Sequence, residues 1–203
     1  MIPRLNENVF DSIDTEEKAY WLGFLFADGY ISSAPITAGS DNNHRIEICL
    51  ALIDTGHLFK FNSFMCSKEQ KVKVYNYKDV KGKDKQHAKW FISNKHLWET
   101  LNSHGCTPKK SLTLKFPNID IFKSKDLIRH FIRGYVDGDG SISHNKNRLY
   151  LSILGTENFL KGIQKYFTKR GSNYRKKCYD KKIRGALRRL SVEAACYFCS
   201  YAA

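Results

Sequence analysis

The chain has 203 residues, a length at which folding buries about 70% of the unfolded surface, so stability requires neither disulfides nor a structural metal. No apolar run is long enough to cross a bilayer and residues 1–14 do not resemble a signal peptide, so we expect an intracellular protein in bacterial or phage cytoplasm or an organelle. The net charge of +14 suits a polyanionic partner: DNA, RNA or an anionic membrane surface.

The positive charge is unevenly distributed along the chain. Residues 1–106 carry 13 basic and 13 acidic side chains, whereas residues 107–203 carry 21 basic and 7 acidic ones. Basic residues after position 145 are interleaved with the apolar positions of predicted strands, which favours nucleic acid over a membrane surface. A basic surface that only keeps the protein soluble is the plainer alternative.

The first predicted half spans residues 1–106 and opens with a helix that begins after the capping residue Thr15 and stops at Gly29. An apolar–polar alternation in the following segment predicts a β-hairpin with one buried face. The elements predicted after the first helix are strands over 30–36 and 44–53, a helix over 55–65, strands over 71–77 and 87–93, and a helix over 95–103.

A connector over residues 107–123, with two prolines, precedes a second predicted half over residues 124–203. This half repeats the order of the first, and its opening helix is predicted to begin after Ser124 and to stop at a glycine. The later elements are predicted as strands over 141–144 and 148–154, a helix after Thr156, strands over 174–179 and 187–192, and a final helix from Glu193.

The two opening helices carry the same pattern at a constant offset of 111 positions. Small residues lie four apart on one face of each helix, a spacing that lets two helix backbones approach closely. We therefore predict a helix interface formed by Gly23, Ala27, Gly134 and Gly138.

Each copy of the pattern ends in an Asp-Gly pair, Asp28-Gly29 and Asp139-Gly140. One such pair is most often a helix stop in which glycine supplies a left-handed turn. Two pairs on packed helices bring like charges together at helix C-termini, where the helix dipole already repels an anion. A bound divalent cation is the natural compensation.

These residues resemble the LAGLIDADG homing endonucleases in their single-chain form with two motifs, and the resemblance covers nearly the whole chain. It implies an α+β fold of two pseudo-symmetric αββαββ halves, packed through the motif helices, with the sheets forming a DNA-binding saddle. The first motif departs from the family at Phe26, where an acidic residue often stands.

The resemblance also implies an activity: site-specific double-strand cleavage of a long duplex DNA site by a monomeric, intron-encoded endonuclease. Asp28 and Asp139, with the adjoining Gly29 and Gly140, would hold Mg²⁺ or Mn²⁺. Lys110 is the lysine expected to assist catalysis in one half, and Lys109 and Lys89 are weaker candidates.

Strand alternation separates the residues predicted to contact DNA from those predicted to face the core. For any one of them, a solvated sheet face is the alternative, and the choice between Arg188 and Arg189 depends on a strand register that the sequence does not fix. The predicted DNA contacts are Ser32, Arg45, Lys71, Lys73, Tyr75, His87, Lys89, Ser141, Ser143, Arg148, Tyr150, Ser152, Arg175, Lys177, Arg184 and Arg189.

A second-half equivalent of Lys110 would fall near position 211, because Thr55 and Thr156 lie 101 positions apart. We therefore expect a shortened second half and less efficient cleavage of one strand. The main alternative function is a cleavage-deficient family member that acts as a maturase on structured intron RNA or as a DNA-binding protein. A basic domain that binds nucleic acid without specificity is a third possibility.

Overall fold

The computed structural model describes residues 5–33, 44–66, 71–145, 148–169 and 187–193, which form an α+β fold with two antiparallel sheets. The helices are α1 (Glu16–Asp28), α2 (Thr55–Met65), α3 (Lys95–Ser103), α4 (Leu127–Asp139) and α5 (Glu157–Lys169). The strands are β1 (Gly29–Ile31), β2 (Arg45–Ala51), β3 (Val72–Lys78), β4 (Asp84–Ser93), β5 (Gly140–Asn145), β6 (Arg148–Thr156) and β7 (Leu187–Glu193). None of these helices has the length and apolarity that a bilayer crossing demands.

The first sheet has the strand order β1-β2-β4-β3, and the second has the order β5-β6-β7 in the described part of the chain. One face of the first sheet is apolar as predicted, with Ile46, Ile48 and Trp90 fully buried. Trp90 packs on Phe61 of α2, and its Nε1 donates to Asn62 Oδ1 at 3.2 Å. Helix α2 therefore covers the back of the sheet and leaves its polar face to solvent.

The starts of α1 and α4 differ in their capping. Thr15 Oγ1 accepts a hydrogen bond from the Lys18 N–H at 3.2 Å, as the sequence predicts. The prediction that Ser124 caps α4 is wrong, because Asp126 occupies the N-cap position and makes no side-chain capping bond. Ser124 Oγ instead accepts from the Asp126 N–H at 3.3 Å, within a turn that precedes the helix.

Several strand boundaries also differ from the predictions. Strand β2 ends at Ala51, and Leu52 lies in a 3₁₀ turn with 41% of its surface exposed. Strand β4 starts at Asp84, three residues early, because Asp79 Oδ1 accepts from the N–H groups of Lys81 and Lys83 and tightens the turn. The charged loop between β3 and β4 is therefore shorter than predicted.

The connector packs against both halves. It contains 3₁₀ turns at Lys110–Leu112 and Ile119–Ile121, and the Lys123 N–H donates to the Ile13 carbonyl at 2.9 Å. The Thr156 hydroxyl donates to the Leu114 carbonyl and accepts from the Phe159 N–H, so the residue that caps α5 also holds the connector.

The second half departs from the first at two places. Ile142 on β5 is 74% exposed, although Ile31, its counterpart at the motif offset, is 2% exposed. Glu193, predicted to start a helix, is instead the last residue of β7 and pairs with Tyr150. The predicted strand over 174–179 and the rest of the predicted final helix lie outside the described residues.

Candidate functional site

Helices α1 and α4 contact each other through reciprocal glycines. A Cβ on Gly23 would overlap the Phe131 carbonyl oxygen, and a Cβ on Gly134 would overlap the Tyr20 carbonyl oxygen. Each carbonyl lies three residues before the glycine of its own helix, so the two contacts mirror each other. Only glycine permits this approach of the backbones.

Each motif helix passes directly into a strand at its Asp-Gly pair. Gly29 and Gly140 have φ values of −69° and −99°, so neither adopts the left-handed turn that commonly ends a helix. Glycine is needed for space instead, because a Cβ at either position would collide with a carbonyl oxygen four residues earlier in the helix. The preceding aspartates are therefore the last helical residues.

The carboxylates of Asp28 and Asp139 meet at the ends of the packed helices. Asp28 Oδ2 lies so close to Gly138 that a Cβ there would be 2.9 Å from it. Burial raises the pKa of Asp28 to about 6, with a further contribution from the negative charge of Asp139 and opposition from Lys110. Burial also raises the pKa of Asp139, against a hydrogen bond from Tyr135 and the charge of Lys110.

Lys110 is buried at this centre, and its Nζ donates to the Ala27 carbonyl oxygen at 2.8 Å. The Cys106 thiol donates to the Leu25 carbonyl at 3.5 Å. Cys106 and the connector residue Lys110 thus each bind a carbonyl of the last turn of α1. Lys110 both stabilises the C-terminus of the helix and offsets the two carboxylates. Lys109, the neighbouring candidate, has a left-handed φ of 54° and an exposed side chain.

A cavity of about 110 Å³ adjoins the carboxylates, lined in part by Lys110, Tyr135, Asp139 and Thr156. It is large enough for ordered water molecules and has polar groups to bind them. The single proton of the Tyr135 hydroxyl has two acceptors in reach, the Leu154 carbonyl at 2.9 Å and the Asp139 carboxylate. The sequence did not single out Tyr135, although its place one turn before Asp139 is the available signal.

The residues present fit an open divalent metal site. Within the described ranges, no group of three or more His, Cys, Asp or Glu side chains forms a closed site. Mg²⁺ is commonly bound by one or two carboxylates and completes its coordination with water and substrate phosphate. Asp28 and Asp139 suit that arrangement, and backbone ligands from Gly29 and Gly140 stay a prediction.

The polar face of the first sheet brings together five predicted DNA contacts, Arg45, Lys73, Tyr75, His87 and Lys89. Lys73 pairs in register with Lys89, and Tyr75 pairs with His87, whose ring stacks on it at a centroid distance of 5.7 Å. Arg45 pairs with Ser93 at the start of β2.

Two more predicted contacts border this sheet. Ser32 follows β1 and its Oγ accepts from the Arg45 N–H at 3.0 Å. Lys71 precedes β3, and its N–H donates to Asn62 Oδ1 at 3.0 Å.

Glu47 lies among these basic residues and was not predicted as part of the site. It accepts hydrogen bonds from Arg45 at 2.6 Å and from Lys89 at 2.8 Å. The alternation of β2 was the available signal, because it places residues 45, 47 and 49 on one face.

The second sheet has its own polar row. Ser141 pairs with Ser152, and Ser143 pairs with Tyr150. The Cα register also pairs Arg148 with Asn145 and Arg189 with Leu154. Arg175, Lys177 and Arg184 lie outside the described residues.

A second polar cluster crosses the helix interface and includes Tyr20 of α1 and Asp137 of α4. The Tyr20 hydroxyl donates to Asp137 Oδ2 at 2.6 Å and lies 3.2 Å from His57 Nε2. The Arg133 guanidinium lies 5.0 Å from the centroid of the Tyr20 ring. Burial lowers the pKa of His57 and raises that of Tyr20.

Three solved structures are similar to the chain, and the one with a TM-score above 0.5 supports the fold assignment. The homing endonuclease I-WcaI, bound to its DNA recognition sequence, matches with a TM-score of 0.58 and 10% identity over 90% of this chain and 77% of that one. The LAGLIDADG meganuclease I-CpaMI, bound to uncleaved DNA, gives 0.47 and 15% over 86% and 79%. Full-length DUF199/WhiA from Thermatoga maritima gives 0.48 and 15% over 93% and 51%.

Sequence comparison points in the same direction for the second half. No curated protein matches the chain in sequence, but residues 126–199 match the family model described as a LAGLIDADG-like domain. This range contains the second motif, with Gly134, Gly138 and Asp139. Residues 126–199 are therefore similar in sequence to a LAGLIDADG-like domain, and the α+β fold of the chain is similar to that of the homing endonuclease I-WcaI.

Proposed function

We propose that this protein is a site-specific endonuclease that hydrolyses both strands of a long duplex DNA site, with Mg²⁺ or Mn²⁺ held by Asp28 and Asp139. The observation that carries the proposal is the proximity of two half-buried, electrostatically interacting carboxylates at the ends of α1 and α4. Their raised pKa values mean that the protein's own groups compensate these charges only in part. One chain supplies both carboxylates, which supports a monomer, and an intron is the expected genomic setting.

The partner follows from charge and from the polar sheet faces. A net charge of +14 suits the phosphate backbone of duplex DNA. Arg, Lys, Tyr and Ser side chains along sheet faces are of the kinds that donate to base edges and phosphates. I-WcaI, which shares the fold, is bound to its DNA recognition sequence.

The chemistry divides between the metal and the chain. A divalent cation bound here would polarise the scissile phosphate, favour ionisation of water and stabilise the leaving oxygen. Asp28 becomes available as an anionic ligand above a pH of about 6. The Lys110 ammonium group lies near both carboxylates and opposes their negative charge, and the adjoining cavity offers room for water near Asp139.

A cleavage selection tests this function whatever the target sequence is. The protein is incubated in Mg²⁺ with a plasmid library that carries randomised duplex inserts, and the cut ends are sequenced. We expect cut ends to collect at one sequence, and chelation of the metal or the double change Asp28→Asn and Asp139→Asn to abolish them. Cutting by the double variant at the wild-type rate would refute the two-aspartate centre.

A cleavage-deficient protein that binds structured intron RNA or duplex DNA is the second candidate. The observation in its favour is that Lys110, the lysine found at the carboxylates within the described residues, already bonds to the Ala27 carbonyl and so has a structural role without catalysis. This candidate predicts metal-independent binding and no cut ends in the selection. Preference for folded intron RNA over duplex DNA would then identify a maturase.

A further inference from the structure

Glu47 lies at the middle of the polar face of the first sheet, on β2 between β1 and β4. Its Oε2 accepts from Arg45 Nη2 at 2.6 Å and its Oε1 accepts from Lys89 Nζ at 2.8 Å. The Glu47 side chain is 12% exposed, whereas those of Arg45 and Lys89 are 38% and 26% exposed. The carboxylate therefore lies beneath two cations that reach solvent.

Each of these two cations also lies over an aromatic ring. The Arg45 guanidinium carbon lies 4.3 Å from the centroid of the Phe91 ring, and Lys89 Nζ lies 5.8 Å from that of Tyr75. A basic side chain that contacts both a carboxylate and an aromatic ring has lost much of its conformational freedom before any ligand binds. Both side chains are therefore preorganised in the free protein.

The ion pairs keep their charges around neutral pH. Burial alone would raise the pKa of Glu47, but hydrogen bonds from Lys89 and Arg45 lower it overall. The hydrogen bond to Glu47 raises the pKa of Lys89. Arg45 Nε is buried and has no hydrogen-bond partner in the described part of the chain, so Glu47 does not satisfy the whole guanidinium.

A carboxylate at this place has opposite effects on the two kinds of DNA binding. Binding to any sequence grows with the number of cations that neutralise phosphates, and a fixed anion that occupies two of them reduces it. Discrimination between sequences depends on donors held at defined positions against base edges in the major groove. An anion that fixes two cations therefore weakens binding to arbitrary sequences and favours discrimination between sequences.

We propose that Glu47 is a specificity-determining positioning residue, which holds Arg45 and Lys89 for base edges and withholds them from the phosphates of non-target DNA. This inference rests on the proposed function, because it takes the first sheet as a DNA-binding surface. Glu47 acts through its two partners and is not itself assigned a contact with a base.

The test uses the full chain with Glu47→Gln and a duplex pool of about 30 base pairs, three helical turns, randomised at every position. Affinity for the unselected pool is measured by fluorescence anisotropy over a salt series, without divalent metal. We expect Glu47→Gln to bind the pool several-fold more tightly, with a slope of log Kd against log salt steeper by about one. After rounds of selection, the variant should enrich the wild-type site roughly tenfold less.

Two further variants separate positioning from charge and from folding. Glu47→Asp keeps the charge but is too short to bridge both cations, so selection should weaken without a steeper salt slope. Glu99→Gln removes the same charge from α3, where Glu99 pairs with Lys95 at 3.8 Å, and should leave selection unchanged. Thermal melting confirms that each variant is folded.

Three outcomes would contradict the account, two of them the inference alone and one the proposed function. If wild type enriches a site and Glu47→Gln enriches it equally well, the inference is wrong while the proposed function stands. The inference is also wrong if Glu47→Gln weakens binding to the unselected pool and to the selected site by the same factor. If wild type enriches no sequence and binds no duplex, the proposed function itself fails.

Discussion

Asp28 and Asp139 sit where a folded protein without a bound cation stabilises negative charge poorly. Both are partly buried at helix C-termini, and Asp28 lies against the backbone of Gly138 beside its partner. Lys110 offsets part of this charge, but burial dominates the pKa of each carboxyl. Two neighbouring carboxylates that lower the stability of the fold are better explained by a role in ligand binding than by a structural role.

The first prediction concerns stability and pH for Asp28→Asn. The folded pKa of Asp28 is about 6 against an ordinary 3.8, so ionisation is disfavoured in the folded state and stability is lost as pH rises between those values. The full change is worth about 3 kcal/mol, and partial solvent screening reduces it to about 1–2 kcal/mol. The variant should therefore melt about 3–6 °C higher at pH 8 and close to wild type at pH 4.

Melting curves at the two pH values, without and with Mg²⁺, provide the check. Mg²⁺ should raise the Tm of wild type at pH 8 and should have much less effect on Asp28→Asn. An equal change in Tm at pH 4 and pH 8 would mean that the charge of Asp28 is not what costs stability.

The second prediction concerns Lys110→Met in the cleavage assay. Loss of the cation should raise the pKa of Asp28 further and move the rise of the cleavage rate with pH to higher pH. It should also lower the rate at neutral pH by roughly 100-fold, the usual effect of one lost electrostatic group. Lys110→Arg keeps the charge and is the matched control. A lower rate with an unmoved pH profile would instead indicate that Lys110 only supports the end of α1.

At the scale of elements, the contact between α1 and α4 determines the position of the carboxylates. The backbone of the opposite helix packs directly against the Cα atoms of Gly23 and Gly134. Gly138 packs on Ala27 next to the Asp28 carboxylate. An added methyl group at such a contact must move a backbone rather than a side chain. The carboxylates at the helix ends would move with it.

The third prediction compares two glycine-to-alanine changes within helices. Gly23→Ala drives a Cβ into the Phe131 carbonyl and should cost about 3 kcal/mol, a fall in Tm of roughly 10 °C. Gly56→Ala in α2 meets no atom within 4 Å and should raise stability by about 0.5–1 kcal/mol. Denaturation of both variants by urea measures the difference. A tolerated Gly23→Ala would contradict the close approach of the helices.

The two sides of the helix interface are chemically different despite the shared motif. At the offset of 111, Tyr20 corresponds to Phe131 and Phe26 corresponds to Asp137. Phe26 and Phe131 form an edge-to-face pair at 5.1 Å in the core, whereas Tyr20 donates to Asp137 at 2.6 Å. The two halves therefore contribute different side chains to their interface. This difference supports the expectation that the two DNA strands are cleaved unequally.

Elements with a strong local signal were predicted well from the sequence. The bounds of α2 and α3 agree with the prediction, and a cap marks the start of α3, where Asn94 Oδ1 accepts a hydrogen bond from the Leu97 N–H. The start of α4 was misplaced, because Ser124 and Asp126 both resemble caps and tertiary packing decides between them. Sequence periodicity predicted which sheet face is polar and placed Glu47 on it, but the ion pairs of Glu47 with Arg45 and Lys89 depend on cross-strand register and side-chain geometry.

At the scale of the whole molecule, the fold places the two aspartates next to the polar faces of the two sheets. Two antiparallel sheets flank the packed helices, and the strands β1 and β5 leave directly from the two aspartates. Any duplex that lies along the polar sheet faces would thus have the helix ends near it. Since 21 of the 34 basic residues lie in residues 107–203, we expect binding to weaken steeply with salt.

Strand-specific cleavage of the selected duplex, with each strand labelled at its end, tests the central claim most directly. Wild type in Mg²⁺ should cut both strands at fixed positions, with one strand cut faster. Asp28→Asn and Asp139→Asn should each lose cleavage while they keep their affinity for the duplex. Binding of the selected duplex without any metal-dependent cut by wild type would contradict the account and would identify a protein that keeps the nuclease fold for recognition alone.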